Sequence, residues 1–437
     1  MNIAVVGTGY VGLVSAACFA ELGHTVIGVD IDETKVAMLK EGKSPIYEPG
    51  LEEVLQRNLK SGRLSFTMEL KEALQNSRVV FSVATPMGEH HHADLRAVFA
   101  VAESIASLAE QDLILVIKST VPVGTGKQCE EKMNAVLKKR KVSVKIPVIS
   151  NPEFLREGMA VNDTLMPDRI VIGINGDADA RATMEELYKP VTRTGKPIVF
   201  MQRESAEIVK YASNAFLATK ISFANMLTEL CEKTGGNIRD VARGMGIDDR
   251  IGPRFLHAGI GYGGSCFPKD VKALLATGEE LGIPFDIVEA TDRINARQRQ
   301  RFFKKILASL KPKSVVGIWG LSFKPKTDDM RDAPSLDLLP LLIEAGHTVR
   351  AYDPAGMDRA KALIPKEVAL TQSPMQVVEG ADVVVLLTEW DEFRGIDLRA
   401  LAASMNGKDL WDGRNVYEPA DVESAGLVYH GIGIGKL

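Results

Sequence analysis

Short β-branched runs read as buried strands at 2–6, 25–29, 78–84, 113–118 and 147–150. Between the first two, apolar residues recur at helical spacing from Leu13 to Leu22. Such alternation predicts a parallel sheet with crossover helices. From Glu204 to Thr234 the pattern becomes one long helix. It is apolar on more than one face, through Ile208, Val209, Ala215, Phe216, Phe223, Met226 and Leu230. That predicts burial between domains or subunits. Short helices follow to about residue 257, then a glycine-rich loop over 259–270 and more helix to about 310.

From Ser314 the chain starts over. Ser314-Val-Val-Gly-Ile-Trp-Gly320 echoes the first strand and turn, and Glu344-Ala-Gly-His-Thr-Val349 echoes Glu21-Leu-Gly-His-Thr-Val26. Tyr352-Asp353 echoes Val29-Asp30. The predicted fold class is α/β: two Rossmann-like, doubly wound parallel-sheet domains joined by a long central helix and a small all-helical region. The domain boundaries read as 1–203, 204–300 and 301–437.

The first turn is Gly7-Thr-Gly-Tyr-Val-Gly12, between a strand and a helix, with Asp30 ending the next strand. This is a dinucleotide fingerprint in its full βαβ setting. Gly7 permits the tight turn, Gly9 admits a pyrophosphate, and Gly12 lets helix and strand pack. Tyr10 and Val11 lie in the same turn, at the helix N-terminus that faces the phosphates. Asp30 can accept both ribose hydroxyls and would repel a 2′-phosphate, so the cofactor reads as NAD. Lys35, a turn into the next helix, is a ribose-edge candidate or a surface lysine. Thr85, Thr120 and Glu153 sit just past strand C-terminal ends, where parallel sheets bind ligands, although either threonine would also serve as a helix N-cap. The echoed turn after Gly320 lacks this fingerprint and predicts a different ligand. Lys324 and Arg331 there are phosphate candidates, or parts of a solvated loop.

Composition narrows the classes. The chain has 437 residues, 45% hydrophobic and 25% charged, with a net charge of −4. That is an ordinary globular balance with no electrostatic case for nucleic acid. The basic runs at 138–141 and 297–301 read as solvated helix faces or ends. No apolar run reaches the length of a membrane span, and the start runs directly into a strand, so a cytoplasmic location is expected. Four cysteines make no disulfide framework. Cys18 and Cys231 read as core, Cys129 has no evident role, and no metal site is expected. His90-His-His92 reads as surface.

The glycine-rich loop, Gly259-Ile-Gly-Tyr-Gly-Gly-Ser-Cys-Phe-Pro-Lys-Asp270, carries the chemistry. Cys266 reads as a nucleophile or as a small buried hydrophobe. An NAD fingerprint plus a loop cysteine suggests oxidation past the aldehyde. A thiolate adds to the aldehyde, the adduct gives up hydride, and a thioester remains for water. Lys210 and Asn214 project from one face of the long helix and need a partner or a role. Neutral, the lysine accepts a proton; cationic, it stabilises an oxyanion. Asp270 could order or deprotonate a water.

Seven stretches together make the chain resemble the UDP-glucose/GDP-mannose dehydrogenase family. They are Gly7–Gly12, Ser44-Pro-Ile-Tyr-Glu-Pro-Gly50, Lys118-Ser-Thr-Val-Pro-Val-Gly124, Asn151-Pro-Glu-Phe-Leu-Arg-Glu-Gly158, Lys210-Tyr-Ala-Ser-Asn214, Gly263–Asp270 and Phe323–Arg331. The resemblance implies Cys266 as nucleophile, Lys210 and Asp270 handling protons and water, and Asn214 and Thr120 ordering that network. Glu153 would assist thioester hydrolysis. It implies an NAD site of Asp30, Lys35, Thr85, Thr120, Glu157, Lys269 and Arg331. A nucleotide sugar would meet Glu153, Phe154, Leu155, Arg156 and Glu157, with Lys210 and Asn214. Arg250, Phe255, Leu256, His257, Ala258, Gly259, Tyr262, Gly263 and Lys324 would complete that site. His257 stands where some relatives carry lysine. The implied reaction is four-electron oxidation of UDP-glucose to UDP-glucuronate, in a homodimer or higher homo-oligomer built on the central helix. GDP-mannose and UDP-N-acetyl sugars are the alternative substrates. Outside the family, the alternatives are a two-electron hydroxyacid dehydrogenase, which would not need Cys266, and a catalytically silent NAD-binding regulator.

Overall fold

The computed structural model describes residues 1–83 and 94–435 of the chain. Thr85 and the three histidines at 90–92 lie outside the described residues. The chain divides into two compact units, Met1–Ser213 and Asn214–Leu437.

The first unit holds strands β1 (Asn2–Val6), β2 (Thr25–Val29), β3 (Leu64–Thr67), β4 (Val79–Ser82), β5 (Ile114–Ile117), β6 (Val148–Ser150), β7 (Ile170–Gly173) and β8 (Ile198–Met201). They form one sheet in the order β3-β2-β1-β4-β5-β6-β7-β8. Pairing is parallel except between β6 and β7. Helices cover both faces, which is why the strands are continuous apolar runs. Ile3 and Val5 pack with Leu13 and Val14 in one core, while Ala4 and Val6 pack with Ala102 and Ile105 in another. Cys18 and Cys129 are buried in these two cores.

The second unit carries the helices Ile238–Gly246, Phe267–Leu281 and Asp286–Ser309. It also carries β9 (Val315–Trp319), β10 (Thr348–Tyr352), β11 (Ala369–Leu370), β12 (Val383–Leu386), β13 (Asp409–Asp412) and β14 (Val428–Gly431). Their order, β11-β10-β9-β12-β13-β14, reproduces that of the first six strands. The sequence echo is therefore a structural repeat. The central helix, Arg203–Thr234, belongs to both units. Within the chain only part of its apolar surface is covered. Ala215, Ala218, Ala224 and Cys231 are buried, while Phe216, Phe223, Met226 and Leu230 stay exposed. No helix among the described residues is long and apolar enough to cross a membrane.

Each sheet closes its first turn with a carboxylate at the end of its second strand. In the first, Asp30 Oδ2 accepts from the Thr8 amide at 2.8 Å and the Thr8 hydroxyl at 2.6 Å. In the second, Asp353 Oδ2 accepts from the Leu321 and Ser322 amides, the Ser322 hydroxyl and the Trp390 indole. Asp353 Oδ1 takes the Ala355 and Gly356 amides. Gly7 and Gly320 open the two turns at φ values of 94° and 91°, where L side chains are strained.

Asp353 is fully buried, so its loss would take the acceptor from four amides and an indole, while the Ser322 hydroxyl keeps the Lys324 carbonyl. Asp353→Ala is expected to cost about 3–5 kcal/mol in urea unfolding of the intact protein. A change below about 1 kcal/mol would show that the carboxylate does not hold the second sheet's turn.

Candidate active site

The dinucleotide turn has the geometry its glycines require. A Cβ on Gly12 would lie 1.8 Å from the Gly7 carbonyl oxygen, whereas one on Gly9 would meet nothing within 4 Å. The helix Tyr10–Glu21 therefore packs on the turn at Gly12 and leaves its N-terminal approach open at Gly9. Lys35 Nζ lies 3.2 Å from Asp30 Oδ2, and Asp30 Oδ1 accepts from the Asp32 amide. Burial would raise the Asp30 carboxyl, but the hydrogen bonds from the Thr8 hydroxyl and amide, the Asp32 amide and Lys35 prevail and hold it below its ordinary pKa. An ionised carboxylate beside the open turn fits a dinucleotide with free ribose hydroxyls. In the second unit, by contrast, Asp353 has its oxygens occupied by protein donors, so that turn offers no equivalent ribose acceptor.

Glu48, from the matched Tyr-Glu-Pro-Gly stretch, is buried and bonds Tyr10. It also accepts the Gly158 amide at 2.6 Å and the Ala160 amide at 2.7 Å. One carboxylate thus ties the first turn of the dinucleotide helix to the chain just past the Glu153–Glu157 segment, a link that sequence reading did not assign. Arg156 forms an exposed pair with Asp163, and the Phe154 ring lies under the Arg169 guanidinium at 3.6 Å.

At the C-terminal ends of β5 and β6 lies a buried polar cluster. Lys210 Nζ donates to Glu153 Oε1 at 2.9 Å, with the two side chains 3% and 7% exposed. Glu153 Oε2 accepts the Leu155 amide at 2.6 Å. Burial alone would raise the Glu153 carboxyl, but Lys210, the Leu155 amide and Lys118 prevail and hold it below its usual value. Lys118 donates to Asn151 Oδ1 at 3.3 Å, and Tyr188 donates to the same oxygen at 2.5 Å. Thr120 is buried two residues beyond Lys118. The sequence reading had Thr120, Glu153 and Lys210 but passed over Lys118. Its signal was a lysine directly ending a fully buried strand.

The second unit holds the cysteine loop. Cys266 is half-buried and stands at the N-cap of the helix Phe267–Leu281. Pro268 fits its first turn, where no amide donor is needed. Asp270, fully buried, accepts from Asn214 Nδ2 at 2.6 Å. Lys269 Nζ lies 2.9 Å from the other Asp270 oxygen. Ser265 Oγ is 3.5 Å from Cys266 Sγ.

The loop's glycines are required by close packing on the second sheet's loops. A Cβ on Gly263 would lie 2.2 Å from the Asp332 carbonyl oxygen, and one on Gly264 would lie 2.5 Å from the Phe323 ring. Asn295 bonds both the amide and the carbonyl of Tyr262. Arg299 reaches the Tyr262 carbonyl at 3.1 Å and also pairs with Asp337. Arg414 donates to the Gly261 and Phe323 carbonyls. The expectation that 297–301 is a solvated face is therefore corrected: Gln298 and Arg299 are buried. Buried positions 295, 298, 299 and 302 follow the helical period, a signal masked by the run's charge. The 138–141 run does close a helix, with Lys141 at φ 58°.

Of the remaining candidates, Gly259 is anchored by Asn225 and Gln298, and Leu256 and Ala258 are buried beside it. Phe255, at φ 65°, holds a strained backbone conformation, while His257 is exposed. Lys324 lies over the Phe323 ring, and Arg331 grips the Asp329 carboxylate. Arg250 is exposed and pairs with Asp248, so the second unit does not draw it to the cysteine loop.

Three family models cover the chain in order. The UDP-glucose/GDP-mannose dehydrogenase NAD binding domain matches residues 1–192, the central domain 204–297 and the UDP binding domain 317–419. A UDP-glucose 6-dehydrogenase of Pseudomonas aeruginosa is 48% identical over 99% of this chain and 97% of that protein. One from Rhizobium meliloti is 46% identical over 99% of each. The solved structure of a UDP-glucose dehydrogenase from Pyrobaculum islandicum superposes with a TM-score of 0.89 at 38% identity, covering 99% of this chain and 98% of that one. With its first-sheet turn shaped for a dinucleotide and its cysteine loop seated on the second sheet, the chain belongs to the UDP-glucose/GDP-mannose dehydrogenase family.

Proposed function

We propose that the chain is an NAD-dependent dehydrogenase that oxidises UDP-glucose to UDP-glucuronate, with Cys266 as covalent nucleophile. The observation that carries the cysteine's part is its half-exposed place at a helix N-terminus, one turn from Asp270 held by Asn214 and Lys269. Relatives sharing nearly half of its residues over their full length are UDP-glucose 6-dehydrogenases, which supports the substrate.

NAD supplies a hydride acceptor, and two are consumed per sugar. Lys210, as the neutral amine, takes the proton of the C6 hydroxyl while hydride leaves C6, giving the aldehyde. The Cys266 thiolate adds to the carbonyl carbon, and Lys210, now ammonium, stabilises the oxyanion. A second hydride leaves C6 and the thioester forms. Water then attacks, assisted by Glu153 or by Asp270, the C–S bond breaks, and the thiolate leaves the carboxylate. The sum is UDP-glucose, water and two NAD⁺ giving UDP-glucuronate, two NADH and three protons. Asn214 and Thr120 order the waters.

The remaining roles follow the same reading. NAD is held by the Gly7–Gly12 turn, Asp30, Lys35, Thr85, Thr120, Glu157, Lys269 and Arg331. The nucleotide sugar is held by Glu153–Glu157, Arg250, Phe255–Gly259, Tyr262, Gly263 and Lys324. The working parts are 1–203, 204–300 and 301–437. Phe216, Phe223 and Leu230 stand seven residues apart on one exposed stripe of the central helix, at 66%, 43% and 58% exposure. Such a stripe suits a second copy of the chain. The four free cysteines suit a reducing cytoplasm.

Two NADH per limiting UDP-glucose are expected, and none from GDP-mannose or UDP-N-acetylglucosamine. One NADH would remove the thioester, and two from another sugar alone would change the substrate. Cys266→Ala should lower UDP-glucuronate formation at least about a thousandfold with its melting temperature retained; acid released at the normal rate would exclude the covalent route. Phe223→Asp with Leu230→Asp should convert the assembly to monomer in light scattering, whereas an unchanged mass would place the interface elsewhere.

A further inference from the structure

The buried cluster at the ends of β5 and β6 has an unequal charge count. Lys118, Lys210 and Glu153 are each no more than 7% exposed. Among the described residues of the cluster, two cations act on one carboxylate. Glu153 is within 2.9 Å of Lys210, while among the described residues Lys118 hydrogen-bonds the neutral Asn151 oxygen, itself shared with Tyr188. The neighbouring charge on the central helix does not redress the balance. Glu207 is taken up by Ser150 and the Gly124 and Gly126 amides, and Arg203 pairs with Glu130. Arg169 covers Phe154 and brings no negative charge. Protonating both lysines therefore leaves a buried charge without a partner, which is costly in a poorly solvated site.

We propose that Lys118 is a positioning residue that sets the proton affinity of Lys210, the two lysines sharing one carboxylate so that one amine is neutral near physiological pH. A base must be neutral to take the C6 hydroxyl proton, and a lysine beside its own carboxylate would hold its proton too tightly. A second cation in the same pocket reverses that bias. The titration belongs to the pair rather than to either lysine. In keeping with this, burial brings Lys118 down to about 8, with Lys210 adding to the fall and Glu153 opposing it. The inference rests on the proposed role of Lys210 as base and adds the group that makes the role possible.

The test is single-turnover formation of the first NADH from UDP-glucose across pH. That step precedes any need for the thiolate, so titration of Cys266 does not enter. Lys118→Met removes the second cation, and the rising limb of the profile should move to higher pH by about one unit. The rate on that limb should fall about tenfold and recover at high pH. Lys118→Arg keeps the charge, and its limb should stay within about 0.3 unit of the parent's. A limb that does not move in Lys118→Met, or that moves equally in Lys118→Arg, overturns the proposal. If Lys118→Met fails to fold, Lys118→Gln carries the same expectation, since it is neutral and can still donate to Asn151. Lys210→Ala separates the two readings. If it forms the first NADH at the parent rate, Lys210 is not the base. If it is slow while the limb of Lys118→Met stays put, only the role of Lys118 falls.

Discussion

A carboxylate at the end of the second strand closes the first turn of each sheet, and the division of labour between the sheets depends on how each carboxylate is used. The turn must pass from strand to helix with its amides pointing inward, and those amides need an acceptor. Asp30 meets this need with Thr8 and keeps lone-pair capacity on Oδ1 beside an open glycine. Asp353 meets it with six donors, including an indole. One repeat thus leaves its turn carboxylate open and the other saturates it, from the same strand order but with different turn sequences.

The cysteine loop shows a second use of backbone economy. Gly263 and Gly264 let it lie against the Asp332 carbonyl and the Phe323 ring, where a Cβ would collide, and Gly261 lets it lie against the Asn295 side chain. Arg299 and Arg414 then fasten its carbonyls. Cys266 is consequently displayed by a rigid loop at the start of a helix, and Asp270, one turn on, is held by two partners. An over-determined loop keeps Cys266 in place while leaving it only half-buried.

The buried lysines illustrate why ionisable residues in such a cluster are read for function. Each costs desolvation free energy, and only one has a carboxylate within hydrogen-bonding distance among the contacts described. Glu48 is a different case: its oxygens are spent on Tyr10 and on the Gly158 and Ala160 amides, so it acts through position alone.

The strands, the dinucleotide turn, the central helix and the internal repeat were all legible in the sequence. Cys266, Lys210, Asn214, Asp270 and Glu153 stood out there as candidates. Each rests on local information: alternation of short apolar runs, glycine spacing, and polar residues on an otherwise apolar helix. What only the tertiary structure decided is pairing. That Lys210 meets Glu153, that Lys118 shares their pocket, that Arg299 is buried under the Tyr262 carbonyl, and that Asp353 is saturated all depend on contacts between segments far apart in the chain. Periodicity fixes which face of an element is apolar. It does not fix which polar groups come into reach when those faces are buried, because that depends on strand order and loop packing, set only when the whole sheet closes.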